Sequence, residues 1–201
     1  MTPKENFRTK VPGYMRRMMA DLAVGLEDTE AIFGNLGHES RGLTALQEEK
    51  PTVKGSRGGY GWAQWTGPRR RAYENYCNLH GLNPASDEAN YKYLVLELRG
   101  PEAAAITAVK AAVGLQGKVE AFEKAFERAG IKHYPLRMEW ALLARDAYAA
   151  AYPTAPPVDV HPPEVGLPPK PSVPPKAVAG GLVALLLALA ALIYNLVTGG
   201  N

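Results

Sequence analysis

Gly34-Asn35-Leu36-Gly37-His38-Glu39-Ser40 and, after a short gap, Gly58-Gly59-Tyr60-Gly61-Trp62-Ala63-Gln64-Trp65-Thr66 are the two stretches on which the reading of this chain turns. Asp28 or Thr29 can cap a helix carrying the first, with Ala31, Ile32 and Leu36 apolar at helical spacing, so Glu39 falls where that helix ends. A carboxyl at the mouth of a helix, facing a cleft walled by apolar residues, can hold a proton at neutral pH and donate it to a leaving-group oxygen. A Glu in isolation is more often simply solvated. The second stretch follows a turn cluster at 54–59 and suits a short strand over 60–65. Period-two alternation puts Tyr60, Trp62 and Gln64 on one face and Gly61, Ala63 and Trp65 on the other. Aromatic faces beside an amide suit a sugar ring, which stacks through its C–H faces and needs a polar handle for hydroxyl or acetamido groups. The plainer alternative is a core strand whose tryptophans pack inward.

The flanking sequence is helical. Residues 14–26 form an amphipathic stretch after Pro12. Thr66-Gly67-Pro68 starts a helix that runs to His80 and stops at Gly81. Further helices are expected over 87–98, 102–113, 119–129 and 136–151, with Phe122 and Phe126 as i,i+4 core residues. There is no β-α alternation of the kind a parallel sheet needs, and no internal repeat. The domain is therefore mainly α, with a small β-hairpin beside the helix that carries Glu39.

Composition sets bounds on function. Of 201 residues, 46% are hydrophobic and 21% charged, enough for one core. Cys77 is the single cysteine, which excludes a disulfide scaffold and paired-cysteine zinc ligation. His38, His80, His133 and His161 are too scattered for a zinc site, so no metal or other cofactor is expected. A net charge of +3 without a dense basic stripe gives no argument for nucleic acid, and suits a weakly anionic partner such as a wall polymer. Arg69-Arg70-Arg71 reads most simply as a solvated helix face.

The chain divides into three segments. Residues 1–152 read as globular. Residues 153–176 hold ten of the 17 prolines, which fix φ and remove amide donors, so this is a spacer that would reach on the order of 70 Å if extended. Residues 177–198 carry no charge and are long enough for a transmembrane helix, with Tyr194 as an interfacial aromatic. Lys170 and Lys176 precede the span, which by the positive-inside rule places the domain on the cytoplasmic side. The expectation is a single-pass membrane protein.

The two opening stretches, together with Arg69-Arg70, resemble the phage tail lysozyme family. More broadly they are similar to the lysozyme-like superfamily, which includes lytic transglycosylases with Glu-Ser and Gly-x-x-Gln elements. Residues 93–98 are similar to the helix these domains place after the cleft. Ala125-Phe126-Glu127-Arg128-Ala129-Gly130 and Arg137 are similar to their closing Tyr-Glu-Arg-Pro and Arg elements, with Phe126 for the tyrosine and Ala129 for the proline. The resemblance spans residues 26–148 and implies an α+β lysozyme-like fold that cleaves the β-1,4 bond between N-acetylmuramic acid and N-acetylglucosamine. It implies that Glu39 protonates the glycosidic oxygen, that Gln64 positions substrate, and that Tyr60 and Trp62 line the cleft. Ser40 shapes the helix end or orients Glu39 at the substrate, and no His and Asp are placed to make it a nucleophile.

Two chemistries stay open. A hydrolase needs a second carboxylate, for which Glu48 and Glu49 are the candidates; a transglycosylase uses the substrate's own acetamido and 6-hydroxyl groups. Either suits a phage enzyme for host lysis or for local wall penetration. A rival of another class is a non-catalytic wall-binding protein that uses the cleft as a glycan adhesin. A holin-like pore-former is a further rival, disfavoured by the long globular segment ahead of one span.

Overall fold

A computed structural model describes residues 1–51, 53 and 55–153. The described elements are α1 (Pro3–Leu22), α2 (Leu26–Glu39), α3 (Gly67–Leu79), α4 (Asp87–Arg99), α5 (Ala103–Ala111), α6 (Gly114–Phe122), a π-helical turn (Glu123–Glu127) and α7 (Tyr134–Ala151). The domain is mainly α, as its periodicity implies. The transmembrane stretch expected at 177–198, and all but the first residue of the 153–176 spacer, lie outside the described residues. Among the described residues no helix is long and apolar enough to cross a membrane.

Helix α1 starts at Pro3, eleven residues before the expected start at 14, and runs through Pro12. Thr2 and Glu5 form a reciprocal capping box, Thr2 N donating to Glu5 Oε2 at 2.7 Å and Glu5 N to Thr2 Oγ1 at 3.3 Å. Phe7, Val11, Met15 and Met18 then bury one stripe of the helix, and that packing carries the chain through the amide that Pro12 lacks.

Helix α2 is the axis of the domain. It packs against α1, α6 and α7 and is buried along residues 28–37. Its buried polar groups are all paired. Asp28 takes Lys118 Nζ at 2.6 Å, Glu30 takes Arg145 at 2.7 Å, and Asn35 Nδ2 donates to Ala31 O and Val119 O. Gly34 lets α7 approach: a Cβ there would stand 2.6 Å from Ala141 Cβ and 2.9 Å from the α7 backbone. Because backbone cannot yield as a flexible side chain does, Gly34→Ala is expected to lower stability by about 1–3 kcal/mol. Chemical denaturation would check this, and an unchanged midpoint would refute the close approach.

The loop between α2 and α3 departs from expectation. The anticipated strand over 60–65 and its hairpin reduce to isolated bridges, Tyr60 opposite Trp65 and Gln47 opposite Tyr60. Tyr60 and Trp65 exchange both backbone hydrogen bonds, at 3.0 and 2.8 Å, and close a four-residue turn. Gly61 (φ 78°) and Gln64 (φ 45°) take left-handed backbone there, and two such residues abolish period-two alternation. Trp62 and Trp65 are consequently both buried, rather than on opposite faces.

Candidate active site

Glu39 ends α2, and 98 positions later Arg137 in the first turn of α7 meets it. Arg137 Nη2 donates to Glu39 Oε1 at 2.6 Å. The guanidinium is itself over-determined: Nη1 donates to Asn35 Oδ1 at 3.0 Å and Nε to Lys132 O at 2.7 Å, and the side chain is only 1% exposed. Asn35 lies one turn before Glu39 on α2 and is locked by its own two bonds to backbone. The Glu39 carboxyl is thus held at a set angle. Its Oε2 accepts no hydrogen bond among the described residues, and Glu39 lines an open groove of about 390 Å³.

Gln64, Glu48 and Glu49 line the same groove, with Arg41 and Gln47. The Gln64 amide nitrogen is spent on the loop, donating to Gly61 O at 2.9 Å and Ala45 O at 3.1 Å, so it ties the turn to the segment leaving α2. Glu48 Oε2 accepts from Gly59 N at 2.7 Å and pins that turn from the other side. Glu49 is exposed.

Three other residues expected at the cleft are elsewhere. Trp62 is fully buried, packed edge-on against Tyr14 at 5.0 Å, with its backbone N–H donating to Asn90 Oδ1. It is a core residue and offers no face to a sugar. Tyr60 lies under the Arg70 guanidinium (4.9 Å) and beside Tyr73 (6.2 Å) and does not line Glu39's groove. Ser40 is fully buried as well. Its Oγ donates to Leu36 O at 2.7 Å and accepts from Leu43 N at 3.0 Å, which fastens the left-handed turn at Arg41, Gly42 and Leu43. It shapes the helix end and is not placed to bind substrate.

The arginine run is not a solvated face either. Arg69 makes a bidentate pair with Glu97 (2.9 and 2.8 Å), and Glu97 Oε2 also accepts from Trp65 Nε1 at 2.6 Å. Arg70 donates to Arg57 O, Gly58 O and Gln47 Oε1. These two side chains fasten the groove's loop to α3 and α4, and Arg71 alone stays exposed.

Glu127 is the group that sequence reasoning passed over. It closes the π-helical turn, and its Oε1 is buried with no hydrogen-bond partner. Burial pushes its carboxyl well above the usual carboxylate range and the charge of Glu39 adds to this, against the opposing pull of Arg137 and Arg69. The sequence offers Glu127 as the glutamate in the closing element of the resemblance, but nothing in its neighbours shows that its carboxyl is enclosed. A carboxyl raised in the folded state stabilises the fold below its unfolded value of about 4.3, and that stability is lost as pH climbs through the folded value. Glu127→Gln mimics the protonated form. The variant is expected to melt with the wild type near pH 4 and increasingly above it as pH rises past 5. Thermal melts across pH would check this, and a difference constant with pH would refute it.

His38 stands beside Glu39 in sequence but lines a different hollow. Burial, with Arg137 and His133 adding to it, lowers its imidazole to about 4, so it is neutral at pH 7.

A family model described as phage tail lysozyme matches residues 17–151, a span that contains every residue of this site. No curated protein and no solved structure gives a significant match.

Proposed function

We propose that this chain, which belongs to the phage tail lysozyme family, is a peptidoglycan-degrading glycosidase that cuts the β-1,4 bond after N-acetylmuramic acid with Glu39 as general acid. The observation that carries the reading is the asymmetry of the Glu39 carboxyl. Arg137 occupies Oε1 from behind, so a proton to be given away has its place on Oε2, on the groove side. Gln64 and Glu48 keep the opposite wall in register, and a strand lying in the groove brings its glycosidic oxygen to Oε2. Water exclusion by the bound strand strengthens that hydrogen bond as the leaving group develops charge.

The products separate the two chemistries. Mass spectrometry of purified peptidoglycan digested by the full chain reads anhydromuramyl ends for a transglycosylase. It reads reducing muramyl ends for a hydrolase, in which Glu48 or Glu49 would serve the water. Neither product, with binding retained, would replace the glycosidase by a wall adhesin.

The stretch at 177–198 serves in this reading as a membrane anchor and 153–176 as its tether. A tether of this reach confines the domain near the bilayer and raises its effective concentration at the wall, for lysis or for local penetration during genome delivery. Removal of residues 153–201 should abolish co-flotation with vesicles and leave digestion of soluble strands intact.

A further inference from the structure

The last turn of α2 separates two hollows. Glu39 lines the groove described above. His38, one residue earlier and about 100° around the helix, lines a second hollow of about 600 Å³ with Trp140, Leu136, Lys4 and Arg41. Arg41 borders both, so the two adjoin. The second hollow is chiefly apolar. Trp140 is held edge-on against Phe7 at 4.9 Å, and Leu136 is 45% exposed.

Its charge is one-sided. Lys4 and Arg41 line it, no acidic side chain does, and neither cation joins an ion pair among the described residues. His38 is neutral at pH 7 and adds a polar ring without charge. An apolar hollow rimmed by two free cations fits a ligand that is partly aliphatic and anionic. Peptidoglycan carries such a group beside every muramyl bond: the peptide stem on the lactyl oxygen, built from alanines and residues with free carboxylates. A bare sugar stacked on Trp140 would make no use of the cations.

We propose that the hollow between His38 and Trp140 is a subsite for the peptide stem of the strand lying in the Glu39 groove. Trp140 and Leu136 pack on the stem's alanine side chains, and Lys4 and Arg41 pair with its carboxylates. The proposal rests on the reading of the Glu39 groove as a glycan site, and it adds a preference for strands that carry stems over stripped ones.

The test has a binding arm and a kinetic arm. Free stem tetrapeptide (L-Ala, γ-D-Glu, meso-diaminopimelate, D-Ala) is titrated into the full chain in detergent. The Trp140 indole N–H resonance, identified by its loss in Trp140→Phe, is expected to move, and Lys4→Ala/Arg41→Ala to weaken the response at least fivefold. In the kinetic arm the wild type is expected to cut stem-bearing strands with about five- to tenfold higher kcat/KM than amidase-stripped strands, the scale of two half-exposed ion pairs. Lys4→Ala, which lies outside the Glu39 groove, should lose part of that preference while cutting stripped strands at the wild-type rate. A Trp140 indole that ignores the peptide, or that responds instead to the bare disaccharide, overturns the subsite whatever the protein cuts. So does a Lys4→Ala variant that loses equally on both substrates. Binding of the peptide by a protein that cuts neither substrate would keep the subsite and remove the glycosidase reading.

Discussion

Glu39→Gln is expected to lower kcat on peptidoglycan by about 10²–10⁴-fold, with KM little changed, the loss that removal of a positioned general acid produces. The substitution is close to isosteric. The amide oxygen can still accept from Arg137 Nη2, and Arg137 keeps its bonds to Asn35 and Lys132 O, so the fold should survive. What disappears is the carboxyl that the glycosidase reading makes the proton donor, replaced by an amide that cannot protonate a leaving group. Glu39→Asp keeps the acid and withdraws it by one methylene, so it should fall between wild type and Gln. Product release from defined strands measures both, and a Gln variant that digests at the wild-type rate removes Glu39 from the chemistry. Glu48→Gln and Glu49→Gln in the same assay ask whether either groove carboxylate serves a water.

Arg137→Met should be the most damaging single change to the fold. The arginine is 1% exposed and reaches three acceptors on two segments: Glu39 and Asn35 on α2, and Lys132 O in the turn before α7. Methionine fills similar volume but leaves a carboxylate and two oxygens without their donor. Breaking a buried pair from one side typically costs about 3–5 kcal/mol. For a domain of this size that is roughly 10 °C in melting temperature. Activity measured well below the melt should also fall, because Glu39 loses the group that sets its angle. Arg137→Lys restores the charge but only one of the three bonds, and is expected to recover part of the stability. A Met variant as stable as wild type would show that the Glu39–Arg137 contact carries no load. A double-mutant cycle with Glu39→Gln isolates their coupling from the rest of the network.

The two carboxyls near Arg137 illustrate how environment divides like groups. Glu39 has a guanidinium on Oε1 and lines the groove. Glu127 Oε1 is buried with no donor among the described residues, and burial raises its carboxyl well above the usual range.

Much of this molecule follows from short-range rules. Helix-forming periodicity, Gly81 and Pro68 as stop and start, and the Phe122–Phe126 pair each depend on neighbours within a turn or two, and the helical segments after α1 stand within about five residues of where those rules put them, whereas α1 begins eleven residues early. The two motifs that carried the family resemblance are local as well, and the family match covers both. Glu39 at a helix end before a loop needed only the pattern of Ala31, Ile32 and Leu36.

Long-range packing assigned the rest. That Trp62 is core and Gln64 borders the groove depended on two left-handed residues, and such backbone is paid for by contacts with Asn90, Ala45 and Glu97 that no window of sequence contains. The partner of Glu39 lies 98 positions away, the unpaired oxygen of Glu127 is a product of enclosure, and the arginine run became a clamp only because α4 presented Glu97. Local sequence sets which dihedral angles are cheap, and so it specified the helices and their ends. Burial and charge pairing are properties of groups that meet only after the chain has folded, and those meetings made the groove, its acid and the adjoining basic hollow.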